Sequence, residues 1–325
     1  MNDHTSLHGI HVPLITPFDA DGGIALDALE SLAHRVLDDR AAGIVALGTT
    51  AESGMLEPDE KSAVLDVCSR VCAERGRTLI VGAGGGDTRK TVAEVWDLRK
   101  RPEITALLVP VPQYVRPGEA GVLAHFEQVA AHSPVPLIVY NIPYRTGQHV
   151  STAAMLRLAA MDRIIGVKHA VGGIDKDTVE LLGRPVEDFA VLGGDDIFIS
   201  PLLAMGAAGG ILASAHLHTT GFADLAEAWH KGDAAGARGL GHRLATVSRS
   251  LFREPSPTIL KAVLHAKGRI PSPAVRLPLV QPTEDAVAAA LETLEALDTA
   301  EGAAAVPRQS GSMTSAGGHS VPSRG

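Results

Sequence analysis

The sequence predicts an α/β fold, a (β/α)8 TIM barrel followed by a C-terminal helical extension. Short apolar runs alternate with longer amphipathic stretches eight times between residues 8 and 231, which is the rhythm of such a barrel. The runs are nearly continuous in Val, Ile and Leu, a composition typical of parallel strands that are buried on both faces. A doubly wound open sheet is the alternative fold, because periodicity alone does not separate the two arrangements.

The eight predicted strands are the short apolar runs. In chain order they are Ile10–Ile15, Ile44–Leu47, Thr78–Val81, Ile104–Val109, Pro136–Tyr140, Ile164–Lys168, Phe189–Leu192 and Gly210–Ser214. Helices are predicted over 25–41, 58–75, from near Asp87, and over 118–132. The helix over 58–75 has a clear start, because Pro58 fits a first helical turn and Asp59 and Glu60 favour the positive end of the helix dipole.

The chain divides into three predicted parts. Residues 8–231 form the barrel, and residues 232–300 form a helical extension that is interrupted by a proline-rich break at 271–282. Residues 301–325 are rich in Gly, Ser, Pro and Ala and nearly free of large apolar side chains. Such a segment buries too little surface to offset the entropy of ordering it, so we expect a disordered tail.

Composition excludes several classes of protein. The chain has 325 residues and a formal net charge of −8, which argues against a general nucleic-acid binder. The N-terminus has no basic, apolar signal pattern, and no apolar run is long enough to span a membrane, so we expect a cytoplasmic protein. The two cysteines, Cys68 and Cys72, share one face of a predicted helix and are interpreted as reduced core residues.

Lys168 is the most informative residue, because it stands where an apolar strand ends. In a barrel the active site lies at the C-terminal ends of the strands, so this lysine is placed at the predicted mouth. A buried ammonium is costly to keep charged, and a neutral lysine attacks ketones to form a Schiff base. Tyr140 ends the preceding strand, and its hydroxyl could transfer protons during imine formation.

Other predicted strand ends carry hydroxyls, tyrosines and an arginine. They are Gly48–Ser53 after the second strand, Pro110–Tyr114 after the fourth, Tyr140–Gly147 after the fifth and Gly193–Asp196 after the seventh. This inventory suits imine chemistry on a keto acid, in which small hydroxyls hold a carboxylate and an arginine binds a second acidic group.

Three segments at predicted strand ends resemble the signatures of a known family. GTTAES at 48–53, YNIPYRTG at 140–147 and GVKHA at 166–170 are similar to motifs of the dihydrodipicolinate synthase / N-acetylneuraminate lyase superfamily. The resemblance covers residues 8–300 and implies a pyruvate-dependent, Schiff-base-forming lyase or aldolase on a (β/α)8 barrel. It also implies no cofactor and no metal, small-molecule substrates only, and a homotetramer or homodimer, with neither nucleic acid nor membrane as a partner.

The resemblance implies a role for each matching residue. Lys168 resembles the Schiff-base lysine, Tyr140 the proton-relay tyrosine, and Thr49 the threonine that links it to a second tyrosine. That second tyrosine, which in the family reaches into a neighbouring subunit's site, is Tyr114. The implied substrate-binding residues are Thr50 for the pyruvate carboxylate, Gly194 and Ile211 lining the pyruvate pocket, and Arg145 for the second substrate.

Arg145 decides between branches of this superfamily. The synthase branch has an arginine at this position and condenses pyruvate with L-aspartate 4-semialdehyde in lysine and diaminopimelate biosynthesis, so we expect that reaction. Tyr144 and His169 depart from the branch pattern and keep an alternative open, a pyruvate-dependent aldolase for 2-keto-3-deoxy sugar acids or another aldehyde. A non-catalytic barrel that binds a keto acid is the third hypothesis, and it has no need of a proton relay.

Weaker signals favour structural interpretations. The glycine-rich segment before Asp87 lacks the endings of nucleotide-binding loops and predicts a tight turn. His216 and His218 lack further metal ligands nearby in the sequence. Asp195 and Asp196 follow two glycines and predict a turn and a helix N-cap. We interpret His169 as a hydrogen-bonded residue that faces away from the site.

Overall fold

The computed structural model describes residues 7–305 and contains a closed barrel of eight parallel strands in sequential order. The predicted TIM barrel is confirmed, and the open sheet is excluded because the first strand pairs with the eighth. The strands are β1 (Gly9–Pro13), β2 (Gly43–Ala46), β3 (Thr78–Gly82), β4 (Ala106–Pro110), β5 (Leu137–Asn141), β6 (Ile164–His169), β7 (Ala190–Gly193) and β8 (Gly209–Ile211).

Each observed strand overlaps its predicted run, and β8 differs most at its end. The predicted strand continued to Ser214, whereas β8 stops at Ile211 and a 3-10 turn follows at Ala213–His216. The backbone N–H of Ser214 donates to the carboxylate of Asp196 at 2.6 Å instead of to a neighbouring strand. The carboxylate of Asp196 therefore takes the place of a neighbouring strand as the acceptor for Ser214. The small apolar residues of the predicted run 210–214 did not indicate this contact.

Helices surround the barrel and follow its strands. They are α1 (Leu26–Asp38), α2 (Pro58–Arg75), α3 (Thr88–Asp97), α4 (Gly118–His132), the single turn α5 (Pro143–Thr146), α6 (Thr152–Ala159), α7 (Lys176–Leu182), α8 (Ile199–Ala204), α9 (Thr219–His230), α10 (Ala234–Leu251), α11 (Thr258–Ala266) and α12 (Glu284–Ala305). The bounds of α2 agree with the prediction, because a capping box of Glu57 and Glu60 begins it and Gly76, at φ +57°, ends it.

The strands are buried on both faces, which explains their continuous apolar sequence. In β2, Val45 belongs to a core inside the barrel, whereas Ile44 and Ala46 pack in the core between the strands and the helices. The inner core also contains Ile80, Leu108, Ile138 and Leu192. The barrel interior is therefore packed with side chains and is not an open pore.

The C-terminal helices pack on one side of the barrel. α10 contacts α8, α9 and α12, and α11 contacts α12. α12 continues to Ala305, five residues beyond the predicted end of the extension at residue 300. The rest of the predicted tail, residues 306–325, lies outside the described residues. Across residues 7–305, none of the helices combines the length and apolar character needed to cross a membrane.

Candidate active site

A cavity of about 270 Å³ lies at the C-terminal ends of the strands. Seven of the eight residues that the sequence singled out line it together. They are Thr49, Thr50, Tyr140, Arg145, Lys168, Gly194 and Ile211. The eighth, Tyr114, lies elsewhere. Residues from five strand ends thus meet in one space, although they are far apart in the sequence.

Lys168 lies on β6 beside Tyr140 of β5, because the two residues are register partners in adjacent strands. The side chain of Lys168 is 6% exposed, and its Nζ lies 4.4 Å from the centroid of the Tyr140 ring. Among the described residues, this Nζ makes neither a hydrogen bond nor an ion pair. The amine of Lys168 is thus buried at the cavity without a hydrogen-bonded partner among the described residues.

Gly194 makes room for the lysine. A Cβ atom at this position would lie 2.9 Å from Cγ and 3.0 Å from Cε of Lys168, and 2.9 Å from Cβ of Ala170. These separations are too short for carbon atoms, so any larger residue would displace the lysine stem. The N–H of Gly194 is already bonded to the carbonyl of His169 at 2.8 Å. Gly194 therefore contributes space to the site.

The Thr49–Thr50 segment is a 3-10 turn that follows β2 and ends at Glu52, which adopts a left-handed conformation with φ +55°. The hydroxyl of Thr50 makes no hydrogen bond with any described residue and is therefore available to a ligand. Thr49 likewise is bonded to neither Tyr140 nor Tyr114 within the described residues. Ala51, where the resembling motif has glycine, has a negative φ, so alanine fits without backbone strain.

Buried contacts hold this turn from behind. Nζ of Lys261 donates to Oε1 of Glu52 at 2.7 Å and to the carbonyl of Thr16 at 2.9 Å. The backbone N–H of Arg276 donates to the other Glu52 oxygen at 2.8 Å. The hydroxyl of Thr16 donates to the carbonyl of Ala51 at 2.7 Å. The C-terminal extension thus fixes the turn that presents the two threonines.

Arg145 lies in α5, the turn that follows β5. Its backbone N–H donates to the carbonyl of Ile142 at 3.0 Å, and Gly147 ends the turn with φ +72°. The guanidinium of Arg145 lines the cavity and makes no hydrogen bond or ion pair with another described residue. A positive charge on the cavity wall is therefore available to an anion.

Tyr114 is on the surface. Its side chain is 93% exposed, and its φ of +71° is unusual for a residue with a side chain. Its backbone N–H donates to the carbonyl of Thr146 at 3.1 Å, which ties it to the turn that carries Arg145. The fold therefore places Tyr114 next to the site but outside its cavity.

Asp195 and Asp196 line the cavity and make contacts with neighbouring segments rather than capping a helix. Neither side chain caps a helix, contrary to the prediction. Asp195 accepts hydrogen bonds from the hydroxyl of Tyr144 at 3.1 Å and from the N–H of Gly172 at 2.7 Å. Asp196 is buried against Ser214, and burial raises its pKa to about 6. The expected contacts of these aspartates with loops are thus present, whereas the expected N-cap is not.

The extension also contributes to the cavity. Phe252 follows α10 and Ser256 precedes α11, and both line the cavity together with Phe198 from the segment after β7. No motif in the sequence marked these residues, because their position depends on how the extension packs on the barrel.

The histidines near the site make hydrogen bonds that support the fold around it, as far as the described residues show. Nε2 of His169 is 2.9 Å from the hydroxyl of Thr178 on α7, on the outer face of β6, and burial lowers its pKa. Nε2 of His216 accepts from the N–H of Ile15 at 3.1 Å. Nδ1 of His218 accepts from the N–H of Gly221 at the start of α9. Residues 7–305 hold no group of three or more His, Cys, Asp or Glu side chains placed to bind a metal ion.

Comparison with known proteins places this geometry in a family. The model of the dihydrodipicolinate synthetase family matches residues 6–297. The chain is 38% identical to 4-hydroxy-tetrahydrodipicolinate synthase of Neisseria meningitidis serogroup B, over 89% of this chain and 98% of the relative. It is 35% identical to 4-hydroxy-tetrahydrodipicolinate synthase 2 of Clostridium acetobutylicum, over 86% of this chain and 96% of the relative.

A solved structure agrees with these relatives. The chloride-inhibited dihydrodipicolinate synthase of Acinetobacter baumannii, complexed with pyruvate, superposes with a TM-score of 0.85 at 29% identity, over 90% of this chain and 99% of that chain. These matches confirm the predicted enzyme class, a pyruvate-dependent lyase of the class I aldolase type. The chain belongs to the dihydrodipicolinate synthetase family.

Proposed function

We propose that this protein condenses pyruvate with L-aspartate 4-semialdehyde through a Schiff base on Lys168, the reaction for which its relatives are named, in lysine and diaminopimelate biosynthesis. The observation that carries the proposal is the buried, unpaired Lys168 Nζ beside the Tyr140 ring, in the same cavity as the unpaired Arg145. One group can form the imine, and the other can hold an anionic acceptor.

The imine forms on Lys168. The neutral Nζ adds to C2 of pyruvate, and loss of water from the carbinolamine gives the imine. Loss of a proton from C3 gives the enamine, whose C3 forms the new carbon–carbon bond to the aldehyde carbon. Water then hydrolyses the imine and releases the product and free Lys168. The reaction needs no external cofactor, because the imine nitrogen itself accepts the electron pair.

Tyr140 is the proposed proton carrier. Its hydroxyl makes no hydrogen bond with a described residue, and its ring already lies against the lysine. A positioned phenol can give a proton to the departing hydroxyl of the carbinolamine and recover it later. Thr49, which lines the same cavity as Tyr140, would connect it to a second tyrosine.

Tyr114 is the proposed second tyrosine, contributed by a neighbouring copy. A fully exposed aromatic side chain next to Val115, which is also exposed, is a surface that fits contact with another protein. The turn after β4 holds Tyr114 outward, so in a homodimer or homotetramer it could enter the partner's site. The oligomeric state and the predicted cytoplasmic location stay predictions.

The pyruvate carboxylate is assigned to Thr50. Thr50 lines the cavity, and its hydroxyl, which makes no hydrogen bond with a described residue, can donate one to an anion. Gly194 leaves space beside the lysine stem, and Ile211 provides an apolar wall. Pyruvate would thus be oriented with C2 toward Nζ.

The acceptor carboxylate is assigned to Arg145. A planar guanidinium binds a carboxylate with two parallel hydrogen bonds, and Arg145 has no competing anion among the described residues. This favours an acidic aldehyde over an uncharged sugar. His169, one motive for the sugar-acid alternative, points away from the cavity toward Thr178 and gives that alternative no support.

Borohydride trapping tests the proposal. The protein is incubated with pyruvate, reduced, digested and searched for a pyruvate adduct on the peptide that contains Lys168. The peptide with Lys261 is an internal control, because that buried lysine is fully engaged by Glu52 and Thr16. An adduct on Lys168 alone, together with a condensation product from L-aspartate 4-semialdehyde, is the expected result. No adduct would leave a keto-acid-binding barrel as the better hypothesis.

A further inference from the structure

One wall of the cavity is formed by Tyr144, Asp195 and Gly172. Tyr144 belongs to the α5 turn after β5, and Asp195 and Gly172 belong to the segments after β7 and β6. The Tyr144 hydroxyl donates to Oδ1 of Asp195 at 3.1 Å, and the Gly172 N–H donates to Oδ2 at 2.7 Å. Both oxygens of the carboxylate therefore have a protein donor.

The Tyr144 side chain is held through its hydroxyl, which is bonded to Asp195, and its ring lies beside Gly172. A Cβ atom at position 172 would lie 3.8 Å from Cδ1 of the ring, so the glycine leaves space next to it. Gly172 has φ +82°, a conformation that glycine adopts without strain. The ring therefore occupies a defined place at the mouth, next in sequence to Arg145.

We propose that Tyr144 and Asp195 form a fixed wall that restricts the acceptor to short aldehydes ending in an anionic group. The inference rests on the proposed function and names the substrate class of the same site. The wall removes space at the mouth, and Tyr144 and Gly172 already donate to Asp195, which leaves fewer acceptor positions for the hydroxyls of a polyhydroxy chain. The charge that remains available on this side is the guanidinium of Arg145, which selects an anion.

Two variants separate the contributions of space and hydrogen bonding. Tyr144→Ser removes the ring and frees Oδ1 of Asp195, whereas Tyr144→Phe frees Oδ1 and keeps the ring. The side chain of Tyr144 is 59% exposed, so neither change threatens the fold. Each protein is assayed with pyruvate and one of three aldehydes: L-aspartate 4-semialdehyde, succinic semialdehyde or D-erythrose.

The readout is the ratio of kcat/KM for D-erythrose to that for each semialdehyde. We expect Tyr144→Ser to raise this ratio at least ~10-fold, and Tyr144→Phe to raise it less, because only room and hydrogen bonding together admit the polyol. If this ratio stays within about twofold of its value in the unmodified protein in both variants, the proposed role of the wall is wrong.

Pyruvate trapping is measured in every protein to separate the two hypotheses. An adduct on Lys168 with an unchanged acceptor ratio would reject the wall and keep the Schiff-base mechanism. If the unmodified protein forms no adduct, the proposed function fails and the wall fails with it. An adduct in all three proteins, with the ratio raised in Tyr144→Ser, supports both.

Discussion

Two buried lysines lie near the same barrel mouth, and their surroundings are opposite. Lys261 is 0% exposed, and its Nζ is engaged by Glu52, by the carbonyl of Thr16 and by the ring of Phe18 at 4.0 Å. Lys168 is 6% exposed, and the ring of Tyr140 is its one close partner among the described residues. The first ammonium is held by the fold, and the second is left for a ligand.

The difference follows from the cost of burying charge. A buried ammonium needs an opposite charge and hydrogen-bond acceptors, or it gives up its proton. Burial lowers the pKa of Lys261, while the adjacent carboxylate of Glu52 opposes that shift. A lysine with all its donors engaged is a poor nucleophile. A lysine that ends a strand beside an open cavity has its lone pair accessible once it loses a proton.

Removing the unpaired lysine should have the largest effect. Lys168→Ala is expected to lose about 10⁴-fold or more in kcat, because no other group can form the imine. The thermal midpoint should change little, since Nζ has no hydrogen-bonded partner to lose. Condensation rates and thermal melts measured on the same sample check both statements.

Lys168→Arg is the matched control for charge. Arginine keeps a cation at the end of β6 but stays protonated, so it should be as inactive as alanine. Turnover near that of the unmodified protein in either variant would refute the catalytic role of Lys168 and with it the contrast between the two lysines.

Removing the paired lysine should act on stability instead. Lys261→Met leaves Glu52 as a buried carboxylate without its cation, which is expected to cost about 3–5 kcal/mol in the free energy of unfolding. Denaturant titration gives this value. The protein that remains folded should still form the pyruvate adduct on Lys168, although a looser Thr49–Thr50 turn should raise the KM for pyruvate.

A double variant tests whether the pair itself is responsible. Glu52→Gln combined with Lys261→Met removes both charges and keeps an acceptor for the N–H of Arg276, so we expect it to recover about 1–3 kcal/mol relative to Lys261→Met alone. If the double variant is no more stable than the single variant, the loss comes from packing rather than from the unpaired carboxylate.

A change at Tyr140 tests whether the hydroxyl beside the unpaired Lys168 carries the proton. Tyr140→Phe keeps the ring against Nζ and removes the hydroxyl, so we expect kcat to fall about 10²- to 10³-fold with no loss of stability. The pyruvate adduct should still form but more slowly, which stopped-flow reduction can follow. Equal rates of adduct formation in the two proteins would assign the proton transfer to another group.

The fold was largely predictable because its signals are local. The start of α2 is encoded by Pro58 with Glu60 in its first turn, and its end by Gly76, so the predicted range 58–75 agrees with the structure. The end of β8 was not predictable in this way. It depends on the bond from Ser214 to Asp196, two residues that lie 18 positions apart.

The site was predictable where a residue stands at a strand end. Lys168 and Tyr140 follow apolar runs directly, and adjacent parallel strands bring their ends together whatever lies between them. The residues that hold the site were hidden. The partner of Glu52 is 209 positions away at Lys261, and the contact from Tyr144 to Asp195 depends on loop paths that periodicity does not encode.

The carboxyl groups nearest the two lysines, those of Glu52 and Asp196, also differ in how they interact with their lysine. Glu52 is bonded directly to Lys261, whereas Asp196 is bonded to the N–H of Ser214 and reaches Lys168 through its charge alone. Burial is the main cause that raises the pKa of Asp196 to about 6, and the charge of Asp195 adds to the shift. The hydrogen bond from the N–H of Ser214 and the charge of Lys168 oppose it. Asp196 is therefore protonated in the fold at pH values where it is ionised in the unfolded chain.

The raised pKa of Asp196 predicts a smaller effect than the changes at Lys168, Lys261 and Tyr140. It predicts that the free energy of unfolding decreases as the pH rises. As the pH rises from about 4 to about 6, the unfolded chain releases the Asp196 proton before the folded chain does, so stability falls by about 2–3 kcal/mol. Asp196→Asn does not titrate, so its stability relative to the unmodified protein should rise across this window and level off above it.

Glu60→Gln is the control of opposite sign, because Arg276 lowers the pKa of Glu60 to about 2 and that contribution is lost as the pH falls. Denaturant titrations from pH 3.5 to 7 measure both differences. A flat profile for Asp196→Asn would mean that Lys168 forms a direct pair with this carboxyl in solution, and the contrast between the two lysines would then be one of degree.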